Sequence, residues 1–89
     1  MPAQITVYES ALCGFCRAAK HLLDKKGWAY DSLVVDGNPE LRRTMEERSG
    51  RHTVPQIWIG DQHVGGFDDL AELDADGELE SLYEQQSQP

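Results

Sequence analysis

The segment SALCGFCRAAKHLL, residues 10–23, carries both cysteines of the chain, Cys13 and Cys16, with two residues between them. The preceding segment QITVYES (4–10) alternates apolar and polar residues, which is typical of a β-strand. After the cysteines, apolar residues recur at the spacing of one helix face until Gly27, a residue placed to end a helix. The sequence therefore predicts that the cysteine pair lies where a strand gives way to a helix.

A position at the start of a helix makes the two cysteines unequal. Unpaired backbone N–H groups and the positive end of the helix dipole lie beside Cys13, and both favour a thiolate over a thiol. Cys16 lies about one helical turn further on, so it is expected to be less exposed yet close enough to attack a disulfide formed on Cys13. The pattern predicts Cys13 as the nucleophile and Cys16 as the resolving thiol.

Three other interpretations of the cysteine pair remain. A zinc site usually needs four ligands, and His21, His52 and His63 lack the short spacing that such sites show. A hydrolase pair of Cys13 and His52 would need a feature that brings the two together, and the sequence has none. Two purely structural thiols are the third interpretation, although a lone C-x-x-C closes a loop too short to staple a fold. The placement at a helix start favours redox chemistry, and no metal-ligating residue is predicted.

The rest of the chain predicts further strands and helices. They are a short, mostly buried strand in AYDSLVVD (29–36), a helix in GNPELRRTMEERSG (37–50), two strands around a Gly60–Asp61 turn in PQIWIGDQHVGG (55–66), a short helix in FDDLAELDADG (67–77) and a last amphipathic turn or two in ELESLYEQ (78–85). The tail QSQP (86–89) is expected to fray.

This order of elements, β-α-β-α-β-β-α, predicts an α/β protein. The first two strands, joined by a helix, should be parallel through a right-handed crossover, and the last two should form an antiparallel hairpin. A four-stranded mixed sheet flanked by helices on both faces follows. That arrangement is a thioredoxin-like fold, for which a C-x-x-C near a β-α-β pattern is the sequence signal. The length predicts a single domain, 1–89.

Composition restricts the class of partner. The formal net charge is −8 and the sequence pI is about 4.6, which argues against nucleic acid or an anionic membrane as the main partner. No apolar run approaches the roughly 20 residues that span a bilayer, and the N-terminal segment MPAQITVYES lacks the features of a signal peptide. A cytoplasmic protein is therefore expected. In that compartment a close cysteine pair is more often catalytic or metal-binding than structural.

Two further motifs accompany the cysteine motif. CGFC (13–16), TVPQIWIG (53–60) and GGFDDL (65–70) stand in an order and spacing that resemble the glutaredoxins, close to the small bacterial dithiol type, over essentially the whole chain. The resemblance implies glutathione-dependent reduction of protein disulfides and of glutathione mixed disulfides. It implies glutathione as co-substrate, disulfide-bonded or glutathionylated proteins as partners, and a monomer as the working unit.

The resemblance also implies a glutathione site. If Pro55 is cis, as in this fold, Val54 offers free backbone groups to an added peptide strand, and a nearby glycine pair lets the tripeptide approach closely. Asp68 is implied to pair with the ammonium of glutathione, and Arg42 to reach its glycine carboxylate, whereas Asp69 is interpreted as a capping residue. The residues implied to contact glutathione or flank the thiolate are Phe15, Arg42, Thr53, Val54, Pro55, Gly66, Phe67 and Asp68.

Two departures from the family pattern bear on function. Gly14 and Phe15 replace the commonest proline and tyrosine of the motif, and Ser10 stands where many members have a lysine that would favour the thiolate. Relatives with a small residue in place of the proline include binders of iron–sulfur clusters. The alternative function is therefore a carrier in which Cys13 of two protomers and two glutathiones bridge a [2Fe–2S] cluster. A hydrogen donor recharged by thioredoxin reductase is a third hypothesis, against which the intact glutathione motifs argue.

Overall fold

The computed structural model describes residues 1–87, and it contains four strands and four helices within that range. In chain order they are β1 (Ile5–Glu9), α1 (Gly14–Lys26), β2 (Asp31–Val34), α2 (Pro39–Ser49), β3 (Gln56–Ile59), β4 (Gln62–Gly65), α3 (Phe67–Ala75) and α4 (Leu79–Gln86). The predicted order is confirmed, and the last amphipathic turns form α4.

The strands form one mixed sheet in the order β2-β1-β3-β4. β1 pairs in parallel with β2, as the crossover through α1 requires. β3 pairs antiparallel with both β1 and β4, and the β3–β4 hairpin has an irregularity of register between Ile57 and Trp58. Gly60 occupies the hairpin turn with a φ of 59°, a left-handed conformation that glycine adopts readily. The four-stranded mixed sheet is confirmed.

Alternation along β1 and β3 divides the interior into two apolar clusters, one on each face of the sheet. α1, α3 and α4 cover the larger cluster, which comprises Ala3, Ile5, Val7, Ala19, Leu23, Ile57, Ile59, Leu70 and Leu79. α2 covers the smaller one, which comprises Tyr8, Val35, Met45 and Trp58. Helices on both faces hold β1 and β3 rigidly in the centre, so the loops that leave these two strands have fixed positions.

The prediction that the second strand is mostly buried is wrong. Three of the four residues of β2 are exposed and the other is intermediate. β2 pairs only with β1 and therefore forms an edge of the sheet. In the predicted segment 29–36 only Val35, directly after the strand, is buried, and it belongs to the cluster under α2. An edge strand receives less cover from the helices than a central strand of the same composition.

The predicted fraying is wrong for the first half of the tail. The side-chain amide oxygen of Gln86 accepts a hydrogen bond from the backbone N–H of Asp61. The hydroxyl of Ser87 accepts one from the backbone N–H of Ala3 and donates one to the carbonyl of Tyr83. The rest of that prediction concerns residues 88 and 89, which lie outside the described residues. No helix within residues 1–87 is long and apolar enough to cross a bilayer.

Candidate active site

Cys13 is the residue that caps the N-terminus of α1. Its backbone is extended, with φ −138° and ψ 107°, and its Sγ accepts a hydrogen bond of 3.1 Å from the backbone N–H of Cys16. The two cysteines form a disulfide. Cys16 is completely buried, whereas Cys13 is partly exposed. The strand-to-helix junction predicted for the pair is thus observed, and only Cys13 presents its sulfur to an incoming molecule.

The loop before β3 lies against Cys13. The Sγ of Cys13 is 3.9 Å from the carbonyl oxygen of Val54. The peptide bond between Val54 and Pro55 is cis, as the resemblance implied. The position of this loop brings the backbone of Val54 next to the reactive sulfur, although 41 residues separate the two in sequence.

A groove of about 470 Å³ opens beside the disulfide. Seven of the eight residues implied to contact glutathione or flank the thiolate line it: Phe15, Thr53, Val54, Pro55, Gly66, Phe67 and Asp68; the eighth lining residue is Arg51. A larger cavity of about 570 Å³ lies between β4, α3 and α4, and neither Phe15 nor Val54 lines it. The groove of about 470 Å³ is the candidate site because it includes Val54, whose carbonyl oxygen lies 3.9 Å from the Sγ of Cys13.

Phe15 and Phe67 form one wall of this groove. Their rings are stacked, with centroids 6.3 Å apart and an interplanar angle of 24°. Phe15 is 68% exposed and does not belong to the buried face of the first helix. The buried residues of α1 are instead Cys16, Ala19 and Leu23. The exposed ring of Phe15 and the partly buried ring of Phe67 give the site an apolar surface for a ligand to contact.

Arg42 is the one implied binding residue that does not line the groove. Its Nη1 donates a 3.1 Å hydrogen bond to the carbonyl of His52 and lies 3.8 Å from a carboxylate oxygen of Glu46. Arg42 thereby holds the chain directly before Thr53, at the edge of the site. The structure thus places Arg42 as a support of the loop that carries Val54.

Arg51 lines the groove and was missed in the sequence analysis. Its Nη1 lies 2.9 Å from Oδ2 of Asp69, which also accepts a 2.9 Å hydrogen bond from the backbone N–H of Gly66. These two bonds, the arginine's first, hold the pKa of the Asp69 carboxyl below its usual range. The contact with Gly66 is the cap predicted for Asp69. The signal that could have revealed Arg51 is its position two residues before the TVP motif.

Asp68 differs from its neighbour because its carboxylate is exposed and, within residues 1–87, no donor contacts its side chain. It lines the groove at the first turn of α3. The backbone N–H groups of that turn and the Asp68 carboxylate therefore offer donors and an acceptor side by side. A zwitterionic α-amino acid group, with one carboxylate and one ammonium, matches this arrangement chemically.

At the end of β1, Ser10 and the residue after it bind a carboxylate. The hydroxyl of Ser10 and the backbone N–H of Ala11 donate hydrogen bonds of 2.6 Å and 2.8 Å to Asp36. These two bonds, that of the hydroxyl first, lower the pKa of Asp36. Lys20 is paired at 2.7 Å with Glu9. The N–H group that the structure places on the sulfur of Cys13 is that of Cys16, in the first turn of α1.

A buried amide ties the site loop to the sheet. The side chain of Gln56 is completely buried, and its Nε2 donates to the carbonyl of Thr53 at 3.0 Å. Its Oε1 lies 2.8 Å from Nε2 of His63, which must therefore carry the proton of that bond. Burial first, then the positive charges of Arg51 and Arg48, lower the pKa of His63. Gln56 thus holds the backbone of Thr53, a residue that lines the groove, through a hydrogen bond from the buried side of the loop.

Several known proteins are similar to this chain in sequence or in structure. Glutaredoxin 3 of Escherichia coli (strain K12) is 49% identical over 80 residues, which cover 90% of this chain and 96% of that protein. The crystal structure of the buckwheat glutaredoxin-glutathione complex has a TM-score of 0.85 at 28% identity, covering 93% of this chain and 78% of that chain. A solved structure described as "Metal Binding of Glutaredoxins" has a TM-score of 0.73 at 42% identity, covering 99% and 96%.

The family model for glutaredoxins matches residues 5–64, a segment that includes both cysteines and the TVP motif. The thioredoxin-like fold has close structural neighbours, and the C-x-x-C pair lies at its reactive position. These findings support a thiol–disulfide oxidoreductase. The chain therefore belongs to the glutaredoxin family.

Proposed function

We propose that the protein is a glutathione-dependent oxidoreductase that reduces protein disulfides and glutathione mixed disulfides. The observation that carries the proposal is the groove in which Phe15, Val54, Phe67 and Asp68 meet beside the exposed Cys13. A tripeptide with a charged γ-glutamyl end fits the combination of backbone edge, apolar wall and helix terminus. Glutathione in the structure of the buckwheat relative supports this choice of co-substrate.

The proposed reaction consists of two thiol–disulfide exchanges. The Cys13 thiolate attacks the glutathione sulfur of a mixed disulfide, so the old S–S bond breaks and the protein substrate leaves as a thiolate that takes up a proton. A second glutathione thiolate then attacks the glutathionylated Cys13. Oxidised glutathione is released and the Cys13 thiolate is restored, which keeps the two electrons in balance. With a protein disulfide as substrate, the Cys13 thiolate attacks one of its sulfurs and the other sulfur leaves as a thiolate. Cys16 then attacks the Cys13 sulfur of this mixed disulfide, which releases the second substrate thiolate and forms the Cys13–Cys16 disulfide. Two glutathiones reduce that disulfide and become oxidised glutathione.

The proposed binding mode assigns a role to each wall of the groove. The backbone of Val54 pairs with the cysteinyl residue of glutathione as an added strand. The N–H groups at the start of α3 hold the γ-glutamyl carboxylate, and Asp68 holds its ammonium. Arg51 offers a cation for the glycine carboxylate, the role that the resemblance had assigned to Arg42.

Removal of the Asp68 carboxylate tests this mode. We expect Asp68→Ala to raise the KM for glutathione about 10-fold, because a hydrogen bond to a charged group contributes about 1.5–3 kcal/mol. The assay is turnover of a small glutathione mixed disulfide with glutathione, NADPH and its reductase. Asp61→Ala, in the exposed β3–β4 turn, removes the same charge and should leave the KM unchanged. An unchanged KM in Asp68→Ala would refute the assigned contact.

We propose the cytoplasm as the place of action, since glutathione keeps thiols reduced there. In this proposal the monomer is the catalytic unit, because both cysteines and the groove belong to one chain. The same assay decides the source of electrons. Turnover with thioredoxin reductase and NADPH in the absence of glutathione would favour the third hypothesis instead.

A second candidate function is a cluster carrier, favoured by the similarity to the structure described as "Metal Binding of Glutaredoxins". Gly14 begins α1 beside Cys13, and a Cβ placed there would meet nothing within 4 Å. The surface beside Gly14 is therefore open to a molecule that approaches from outside the protein. Among residues 1–87, no three His, Cys, Asp or Glu side chains are arranged to hold a metal. A [2Fe–2S] cluster would need the Cys13 thiolates of two chains and two glutathiones, since thiolates are the ligands that such clusters take.

Anaerobic incubation with iron, sulfide and glutathione tests the second candidate. We expect a coloured dimer, detected by visible absorbance and gel filtration, that requires glutathione and is lost in Cys13→Ser. Cys16→Ser should retain the colour, because Cys16 is buried. Gly14→Pro should weaken it without unfolding the helix, because proline is tolerated at the first helical position. A colourless monomer would dismiss this function and leave the oxidoreductase proposal untouched.

A further inference from the structure

The charges of this acidic protein are unevenly distributed. α1 contains four of the eight lysines and arginines, namely Arg17, Lys20, Lys25 and Lys26, and one acidic residue, Asp24. Its formal charge is therefore +3, which leaves −11 for the rest of a chain whose total is −8. α1 is also the helix that begins at the reactive cysteine.

Two cations of α1 are already neutralised and two are not. Lys20 and Lys26 form ion pairs with carboxylates of neighbouring elements. Arg17 and Lys25 are exposed, and within residues 1–87 neither has a carboxylate partner within 4 Å. Arg17, His21 and Lys25 recur at intervals of four residues and so share one face of α1. This basic stripe is about 12 Å long, at a rise of about 1.5 Å per residue.

An apolar path connects the basic stripe with the cysteine. A groove of about 380 Å³ lies between α1 and α3, and its lining combines the apolar side chains of Ala18, Leu22 and Phe67 with His21, Lys25, Lys26 and Asp74. Phe67 also lines the groove beside the disulfide, so the two grooves adjoin. At the near end, Leu12 is 95% exposed and Phe15 is 68% exposed. Exposed apolar groups beside a reactive site are typical of a contact surface.

We propose that the basic stripe and its groove form the docking surface for protein substrates that carry an acidic segment near their reactive cysteine. The substrate places an apolar residue against Leu12 and Phe15, and carboxylates opposite Arg17 and Lys25. This proposal rests on the proposed oxidoreductase function and specifies its protein substrates.

Charge complementarity selects this class of partner. The rest of the chain has a formal charge of −11 and repels an acidic chain overall, whereas α1, at +3, attracts it to the helix that begins at Cys13. Such complementarity mainly raises the rate of productive encounter and fixes orientation. A basic substrate segment would be repelled by Arg17 and Lys25 on the stripe. The stripe therefore both attracts the favoured substrates and aligns them.

The test uses two synthetic peptides, each glutathionylated on a single cysteine. One carries glutamates at the positions that reach the stripe, and the other carries glutamines there. For the wild type we expect a higher kcat/KM with the acidic peptide. In the double variant Arg17→Glu/Lys25→Glu, kcat/KM for the acidic peptide should fall roughly 10-fold, because two exposed charge pairs are lost. Turnover of a small glutathione mixed disulfide should not change.

Lys25→Glu and Arg43→Glu are the matched pair. Both reverse one exposed cation that has no ion pair within residues 1–87, but Arg43 lies on α2. We expect only Lys25→Glu to reduce the preference for the acidic peptide, and the preference should fall as ionic strength rises. Fluorescence anisotropy of the same peptides without the disulfide measures docking without turnover.

Three outcomes would overturn the docking surface: equal kcat/KM for the two peptides in the wild type, an equal effect of Lys25→Glu and Arg43→Glu, or equally strong competition by a single-stranded oligonucleotide. The last would mean a general attraction for anions. None of these affects turnover of the small mixed disulfide, which reports on the proposed function separately. Conversely, fluorescence anisotropy still measures peptide docking if the protein does not turn over the small mixed disulfide.

Discussion

Replacing Cys13 by serine is expected to reduce glutathione-dependent turnover to the background rate of the coupled assay. A serine hydroxyl is neither ionised near neutral pH nor able to form a disulfide, so both exchange steps are lost. Cys16 cannot take over, because its side chain is completely buried behind position 13. The loss should occur with mixed disulfides and with protein disulfides alike.

Cys13→Ser is expected to keep the cap of α1, so its stability serves as a control. Cys13 caps α1 and accepts a hydrogen bond from the backbone of Cys16, and serine is among the best residues for such a cap. We therefore expect the reduced forms of wild type and Cys13→Ser to unfold at similar denaturant concentrations. Substantial turnover by a folded Cys13→Ser protein would transfer the nucleophilic role to another residue.

The second large effect is a separation of two activities in Cys16→Ser. Turnover of glutathione mixed disulfides should survive, because it uses only Cys13 and glutathione. Reduction of protein disulfides should fall at least about 10-fold, because no second thiol of the protein resolves the mixed disulfide and glutathione must do so instead. The measurement compares a small mixed disulfide with a protein disulfide under the same glutathione concentration.

Mass spectrometry completes this comparison. With a protein disulfide as substrate, Cys16→Ser should accumulate a covalent complex through Cys13, whereas the wild type should not. Equal losses with both substrates would indicate that Cys16 supports the fold around Cys13 instead of resolving a disulfide. That outcome would return the pair to the structural interpretation considered for the sequence.

The position of the cysteines could be predicted because its causes are local. A period-two pattern, a helical period and a glycine at the helix end lie within one short segment that also includes Cys13 and Cys16. The groove needed more than local pattern, since Val54 and Asp68 meet Cys13 only through the sheet order. Motif resemblance supplied that connection, and seven of eight implied residues indeed line one groove.

What escaped prediction depends on contacts distant in sequence. β2 was expected to be buried because its composition is that of a buried strand, and composition does not distinguish an edge from a centre. Arg42 lies in α2 and Arg51 lies two residues before the TVP motif, and only packing decides that Arg51 lines the groove while Arg42 binds the carbonyl of His52. Gln56, an amide in a fully buried strand, is explained by its hydrogen bond to His63 of the adjacent strand β4, a contact that composition does not indicate.

The burial of Cys16 also bears on oxidative damage. Peroxides attack sulfur according to its thiolate character and exposure, so they reach Cys13 before Cys16. A sulfenic acid on Cys13 then lies one helical turn from a protected thiol, with which it condenses and loses water. The product is the same disulfide that thiols reduce. This condensation competes with further oxidation of Cys13. Cys16 therefore limits the formation of sulfinic and sulfonic acids at Cys13, which ordinary thiols do not reduce.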